Sequence, residues 1–319
     1  MIVTLTMNPS VDRTAQLPAP LAVGGVNRIA TVDDSPGGKG INVARVVAAG
    51  GLEAHAVFPA PPEDPFVTMC TATGVTTSVM PTTGAVRINL TLADPEGMTT
   101  KINSPGPELD ATTSDRVRST ITDLARDARW VVLSGSLPRG VEDDFYADLV
   151  TALRPAGARL AVDTSDAPLA ALAARLPDAA PDLVKPNGEE LGQLAGVDGV
   201  ELERRAVDGE TGPVVAAART LRDRGVGTVL VTLGGAGAVL VDDDETWFAN
   251  APAVQVRSTV GAGDSALAGY LLAEARGLPP RDRLAWAVGH GSVAASLPGT
   301  GLPMGLDPAT FRATLRRLD

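Results

Sequence analysis

The residues best suited to chemistry stand together in Ser258-Thr259-Val260-Gly261-Ala262-Gly263-Asp264-Ser265. The stretch reads as a strand end, a tight turn and a helix start. Gly261 and Gly263 lack the Cβ atoms that would hold a ligand off the backbone, and a helix beginning near Asp264 leaves its first N–H groups without internal partners. The helix dipole adds roughly half a positive charge there, so the amides of Gly261, Ala262, Gly263 and Asp264 form a seat for an anion such as a transferring phosphoryl group. A carboxylate at the mouth of that seat repels phosphate, but it can accept a proton from an attacking hydroxyl. The competing reading is an N-cap aspartate after a glycine turn.

An anion seat has to work against the rest of the chain. The 319 residues carry a net charge of −11, which argues against nucleic acid or an anionic membrane as partner, so positive charge must be gathered locally. Of the 27 basic residues only Lys39, Lys101 and Lys185 are lysine, and each lies in a stretch with site character. With 44% hydrophobic residues the length suits one large α/β domain with an appendage. The single Cys70 excludes an internal disulfide and, with only His55 and His290 beside it, argues against structural zinc. The N-terminus lacks a basic region and turns polar early, and no run of ~18 apolar residues occurs, so a cytoplasmic location is expected.

These side chains have to be positioned by strands and helices. Residues 2–7 alternate as a strand and Asn8-Pro9-Ser10-Val11-Asp12 ends it, placing Asp12 at a carboxyl end, where it either grips substrate hydroxyls or makes an Asx-turn. Residues 14–35 accommodate no helix, and 26–32 is their best strand. Gly37-Gly38-Lys39-Gly40-Ile41-Asn42 is a glycine turn feeding a helix, without the spacing of a Walker A loop; Lys39 and Asn42 would point at sugar hydroxyls or phosphate. A strand at 54–58 and a short helix at 67–71 follow. Residues 84–92 and 98–103 alternate as a hairpin around Asp94-Pro95-Glu96-Gly97, with Arg87, Asn89, Lys101 and Asn103 on one parity of each strand.

From residue 115 helices (115–127, 143–153, 167–175, 188–194, 211–224) alternate with strands (130–134, 159–163, 183–185, 228–232). This is βαβ repetition, hence an α/β fold with a mostly parallel sheet covered on both faces. A hairpin at 238–249, the helix from Asp264 to 276, a helix from 281 to about 297 and a last helix from Asp307 complete the chain. The β-rich pieces 14–35 and 84–103 fall outside this rhythm and are expected to form a separate small sheet.

The strand ends then collect Asp12, Ser134-Gly135-Ser136, Asp163, Lys185-Pro186-Asn187, Thr232-Leu233-Gly234-Gly235 and Gly261-Ala262-Gly263-Asp264 along one edge. With these motifs, above all Gly37-Gly38-Lys39-Gly40-Ile41-Asn42 and Gly261-Ala262-Gly263-Asp264, the chain resembles the ribokinase-like PfkB family of carbohydrate kinases over nearly its whole length. Ser134-Gly135-Ser136-Leu137-Pro138, Lys185-Pro186-Asn187-Gly188-Glu189-Glu190 and Pro105-Gly106-Pro107 resemble its phosphofructokinase and tagatose-phosphate kinase branch.

The resemblance implies one ribokinase-like kinase domain with a β lid from about 13–35 and 84–104. It makes Asp264 the general base and the amides of Gly261, Ala262, Gly263 and Asp264 the anion hole. Asn187 and Glu190 would organise Mg2+ around the phosphates of ATP; Lys185, Thr232, Gly234, Gly235, Gly237, Gly261 and Gly263 would serve the nucleotide. Asp12, Gly38, Lys39, Asn42 and Asn89 would face the sugar, while Arg28, Arg87, Lys101 and Arg139 are candidates for its phosphate. Two departures stand out. Residues 59–65 replace a glycine-rich turn and would make that edge of the sugar site stiffer and more acidic; His290 replaces a small residue near the adenine and reads as a core histidine. The expected activity is ATP-dependent phosphorylation of fructose 1-phosphate or fructose 6-phosphate to the bisphosphate, by a homodimer joined through the lid. Tagatose 6-phosphate is the runner-up substrate, and a non-catalytic sugar-phosphate-binding regulator on the same fold the alternative.

Overall fold

Short apolar runs alternating with amphipathic stretches satisfy their backbone hydrogen bonds when strands pair side by side and helices cover both faces. The structure, a computed structural model, describes residues 1–306 and 313–319. Strands β1 (Ile2–Thr6), β2 (Ser10–Gln16) and β3 (Thr31–Gly37) precede helix α1 (Lys39–Ala49), and β4 (Ala54–Ala60), α2 (Pro65–Thr71), β5 (Thr76–Pro81), β6 (Arg87–Ala93) and β7 (Thr99–Asn103) follow. The repeating part runs α3 (Ala111–Ala125), β8 (Trp130–Ser134), α4 (Phe145–Leu153), β9 (Arg159–Asp163), α5 (Asp166–Ala174), β10 (Leu183–Val184), α6 (Gly188–Ala195), α7 (Gly199–Val207), α8 (Gly212–Asp223) and β11 (Thr228–Thr232). The chain closes with β12 (Ala238–Val241), β13 (Thr246–Ala249), α9 (Ala262–Ala275), α10 (Pro280–Ser296) and β14 (Leu315–Arg317).

The large sheet has the order β14-β13-β12-β11-β10-β9-β8-β1-β4-β5, parallel from β5 to β11 and antiparallel beyond. From β1 the chain reaches β4 on one side and β8 on the other, which makes the carboxyl end of β1 the switch point where open α/β sheets bind ligands. Register sets the edge: Thr6 pairs with Ser134, Ser134 with Asp163, and Val184 with Val162, so Lys185 falls beside Asp163. The second sheet, β3-β2-β6-β7, sits apart; its central pair, β2 with β6, is parallel.

Two cores result, one on each face of the large sheet. In β1, Val3 and Leu5 join the core that holds Val117, Ile121, Tyr146 and Leu149 of α3 and α4, whereas Ile2 faces the core of α1, α9 and α10. Helix α9 is buried nearly throughout, and its far end is fixed by Glu274, whose carboxylate accepts from Trp130 Nε1 (2.9 Å), Arg129 Nε (3.0 Å) and Nη2 (2.9 Å), and Arg159 Nη1 (3.0 Å). Among the described residues no helix is long and apolar enough to cross a membrane.

Several elements differ from expectation. The strand expected at 26–32 lies at Thr31–Gly37, because pairing with β2 from Gln16↔Thr31 to Ser10↔Gly37 decides its extent, and Pro36 and Gly37 are strand rather than turn. Asp12 is not in a turn after β1: it lies inside β2, paired with Ser35 and Asn89. Helix α3 begins at Ala111, where Asp110 accepts from Thr113 N at 2.7 Å. Strand β5 opens on two threonines and β14 is arginine-rich, so neither shows the apolar alternation that marks a strand; α7, not expected from sequence, is short and carries Glu201, Glu203, Arg204 and Arg205 around the buried Leu202 and Ala206. The last helix expected from Asp307 begins outside the described residues, and Leu315–Arg317 is strand, its backbone bonds supplied by β13.

Candidate active site

The strand ends, the α1 and α9 N-termini and the inner face of the small sheet enclose a cavity of about 1530 Å³. Its centre is Asp264 in the first turn of α9, 7% exposed, with Oδ2 accepting from Asn42 Nδ2 at 2.8 Å. Gly261 caps that helix at φ 74°, a left-handed conformation that favours glycine, and the first helical bond runs from Ser265 N to Gly261 O (2.8 Å). The preceding amides of Ala262, Gly263 and Asp264 therefore lie outside the α-helical ladder, the Ala262 N–H making a long 3.4 Å contact to Thr259 O.

Two ammonium groups flank this turn. Lys39 Nζ, raised from the start of α1 behind Gly38 (φ 111°), lies 2.7 Å from Asp163 Oδ1 and 3.9 Å from Glu190 Oε1. Lys185 Nζ lies 3.2 Å from Asp163 Oδ2, close to where a Cβ on Gly263 would stand. Burial works against the Lys39 charge, but Asp163, Glu190 and Asp264 outweigh it and hold the ammonium above its ordinary range. Burial also pushes Asp264 up, to about 6, with the Asp163 charge adding to it. A carboxylate with that proton affinity is matched to take a proton near neutral pH.

The small sheet contributes a polar face. Because Asp12 pairs with Asn89, and Asn89 with Asn103, these side chains share one side with Thr14, Thr91 and Lys101. Asp12 accepts from Ser10 Oγ (2.7 Å) and Asn89 Nδ2 (3.3 Å) and rests on Gly37, where any Cβ would strike its carboxylate. Burial raises its pKa, opposed by those two hydrogen bonds and by Arg87 and Arg45. Arg87 donates through Nη1 to Ser104 O (2.9 Å) and through Nη2 to Asn8 O (3.1 Å), while its Nε is buried without a partner among the described residues, as are Asn8 Oδ1 and Asn89 Oδ1. Such orphan groups lining one cavity fit a polyhydroxylated or phosphorylated ligand.

On the nucleotide side, Asn187 and Glu190 form the capping box of α6: Asn187 Oδ1 accepts from Glu190 N (2.7 Å) and Glu190 Oε2 from Asn187 N (2.9 Å). Glu190 is thus no solvated helix residue; burial raises its pKa against the pull of Lys39. The box consumes the Asn187 oxygen and leaves Glu190 Oε1 facing the cavity. No cluster of three or more His, Cys, Asp or Glu side chains among the described residues could hold a metal. That one oxygen outside the box, 3.9 Å from Lys39 Nζ, fits Mg2+ carried in on nucleotide phosphates, which keeps most of its ligands from phosphate and water.

Of the residues singled out from sequence, Asp12, Gly38, Lys39, Asn42, Arg87, Asn89, Lys101, Lys185, Asn187, Glu190, Thr232, Gly234, Gly235, Gly237, Gly261, Ala262, Gly263 and Asp264 all line the cavity. Arg28 and Arg139 do not. Arg28 is exposed in the loop joining β2 to β3, and Arg139 is exposed in the turn that follows Ser136-Leu137-Pro138, its carbonyl accepting from Leu109 N (2.9 Å). Residues 59–65 are also absent from the lining: Asp64 is spent on Phe66 N (2.9 Å) and Val86 N (3.0 Å), so that segment stiffens the sheet edge without acidifying the site. His290 is buried between α9 and α10, with Nδ1 2.8 Å from Trp286 O. Sequence reasoning missed Asn8, which donates to Pro105 O (3.1 Å), and Glu203 of α7, which accepts from Gly188 N (3.0 Å). The Asn8-Pro9 pair directly after an apolar strand was the available signal for the first.

Comparison with known proteins agrees with this geometry. Residues 5–305 match the family described as pfkB family carbohydrate kinase. The chain is 37% identical to a 1-phosphofructokinase of Rhodobacter capsulatus, over 99% of this chain and 98% of that one, and 33% identical to a 1-phosphofructokinase of Escherichia coli K12, over 85% and 83%. The phosphofructokinase-2 of Escherichia coli, solved in complex with substrates and products, superposes with a TM-score of 0.86 at 30% identity, covering 97% of both chains. The chain belongs to the pfkB family of carbohydrate kinases.

Proposed function

We propose that the chain transfers the γ-phosphoryl group of ATP to a fructose phosphate, fructose 1-phosphate ahead of fructose 6-phosphate, giving fructose 1,6-bisphosphate. The observation that carries this reading is the position of Asp264: a buried carboxylate held by Asn42 at the mouth of the α9 amides, between two ammonium groups and the polar face of the small sheet. The acceptor hydroxyl oxygen attacks phosphorus, its proton passes to Asp264, and the bond to the bridging oxygen of ADP breaks. The α9 amides and Lys185 receive the charge on the transferring group, while Asp12 and Asn89 orient the sugar and Arg87 and Lys101 its phosphate. Mg2+ on the nucleotide would neutralise phosphate charge, with Glu190 as the side chain that meets it and Asn187 as the residue that orients Glu190. Relatives named 1-phosphofructokinase support fructose 1-phosphate as the first substrate.

The small sheet is read as a lid over the sugar. Its outer face carries the exposed apolar side chains of Val32, Ile88 and Ile102, a surface suited to pairing two copies as a homodimer. The cytoplasm, where ATP is abundant, is the proposed location. The deciding experiment is ADP release with ATP and a panel of fructose 1-phosphate, fructose 6-phosphate, tagatose 6-phosphate and free fructose. The highest kcat/KM is expected for fructose 1-phosphate; no transfer to any of the four would refute the reading.

A further inference from the structure

Asp163 ends β9 in the middle of the site, 1% exposed, and no role was read for it from sequence. Its two oxygens reach different elements: Oδ1 meets Lys39 Nζ at 2.7 Å, and Oδ2 meets Lys185 Nζ at 3.2 Å. These are two of the three lysines in the chain. Lys39 enters from α1, and Lys185 follows β10 with its ammonium against the first turn of α9. A buried carboxylate is costly unless paired, and the register that sets Ser134 and Asp163 side by side puts this one within reach of both cations. A lysine is a compact charge on a flexible four-carbon stem, so alone it has no defined place. Gripped by one shared carboxylate, the two ammonium groups are held at fixed positions on either side of the anion seat.

We propose that Asp163 is a positioning residue that fixes Lys39 and Lys185 about the transferring phosphoryl group, and that it acts through those lysines rather than through a metal ion or by touching substrate. The proposal rests on the reading above that Lys185 meets the transferring phosphoryl group, and it extends that role to Lys39, whose ammonium shares Asp163 with Lys185. It also gives lysine a use at these positions in a chain that otherwise uses arginine: a compact ammonium meets one carboxylate oxygen with one N–H and keeps two donors for phosphate.

The test is a double-mutant cycle on the full-length enzyme with Asp163→Asn, Lys39→Met and the double variant, each measured at the Mg2+ concentration that saturates the wild type and again at tenfold higher Mg2+. Asp163→Asn is expected to lower kcat about 100-fold while the sugar KM stays within about 3-fold, since the charge being stabilised is greatest in the transition state. In the Lys39→Met background the same change should cost less than about 10-fold, the remainder reporting Lys185. An equal cost in both backgrounds overturns the proposal, as does recovery of Asp163→Asn by raised Mg2+. If Lys39→Met is crippled while Asp163→Asn is near wild type, the proposal fails and the reading of Lys39 stands. If Lys39→Met is near wild type, that reading fails first and takes the proposal with it. The double variant removes one charge of each sign, so should Asp163→Asn alone not fold, its comparison with Lys39→Met still decides by the same 10-fold limit.

Discussion

Replacing Asp264 by asparagine separates what the residue does for the reaction from what it costs the fold. The two side chains are nearly the same size, and Asn42 Nδ2, now 2.8 Å from Oδ2, still finds an oxygen to donate to. What disappears is a buried negative charge. Burial, then the charge of Asp163, pushes the Asp264 pKa from an ordinary 3.8 to about 6, against the pull of Lys39, Asn42 and Lys185. That displacement is worth about 3 kcal/mol when the group is ionised. Because the folded value is the higher one, the favourable contribution is complete below 3.8 and lost as pH rises through about 6. At pH 8 the wild type carries the whole penalty and Asp264→Asn carries none. With about 2 °C per kcal/mol for a chain of this length, the variant is expected to melt up to about 6 °C higher at pH 8, the gap closing near pH 4. Activity moves the other way: kcat should fall about 10²–10⁴-fold with KM values little changed, and wild-type kcat/KM should itself decline below pH about 6 as the base is protonated. ADP release and thermal melts across pH 5–9 measure both. Near-normal kcat in the variant refutes the general base, and a lower Tm at pH 8 refutes the electrostatic account.

Glu190→Gln should raise the Mg2+ concentration needed for half-maximal rate by about 10-fold or more with the sugar KM little moved, whereas a change confined to sugar affinity would remove Glu190 from the nucleotide side. Arg87→Ala should cost about 2–4 kcal/mol in kcat/KM for fructose 1-phosphate and much less for free fructose. Equal losses for both sugars would mean that Arg87 serves only through its bonds to Ser104 and Asn8. Glu274→Gln, at the opposite end of α9, should destabilise by about 1.5–3 kcal/mol while leaving kcat within about 3-fold, as judged by urea unfolding and initial rates. Burial opposes the Glu274 charge, but hydrogen bonds from Arg129 and Trp130 hold its pKa below the ordinary value, so this contribution is present above pH 4.5 and fades as pH falls through the folded value.

The parallel part of the fold was legible because its strands are buried on both faces and its helices amphipathic, which makes β8, β9 and β11 apolar runs with clear breaks. The site was legible wherever glycine and charge coincide, as at Gly38-Lys39 and Gly263-Asp264. What sequence could not supply were relations across the sheet. Asp12 follows a strand and precedes polar residues, so nothing local tells a turn from a second strand; pairing with Asn89 decides it. Lys39 read as pointing at sugar hydroxyls or phosphate, and nothing local told that its ammonium also meets Asp163 and Glu190. Arg28 and Arg139 show the converse, since charge in a suggestive stretch says nothing about the direction in which the backbone exposes it.

The parallel pairing of β2 with β6 has a consequence for the order in which the molecule assembles. Asp12 and Asn89, which touch across it, are 77 residues apart, and β1's neighbour β4 together with α1, α2 and β5 must be threaded between them. No tight turn can nucleate such a pair, so its loop-closure entropy is met only after the intervening helices and strands have docked on the large sheet. The small sheet is therefore the last unit to form and the first to open, a sub-global unfolding unit with a lower opening free energy than β1 or β8. Amide exchange in Ser10–Gln16 and Arg87–Ala93 should accordingly outpace exchange in Ile2–Thr6, and should slow when a sugar phosphate bridges Asp12 and Asn89 to the α9 turn.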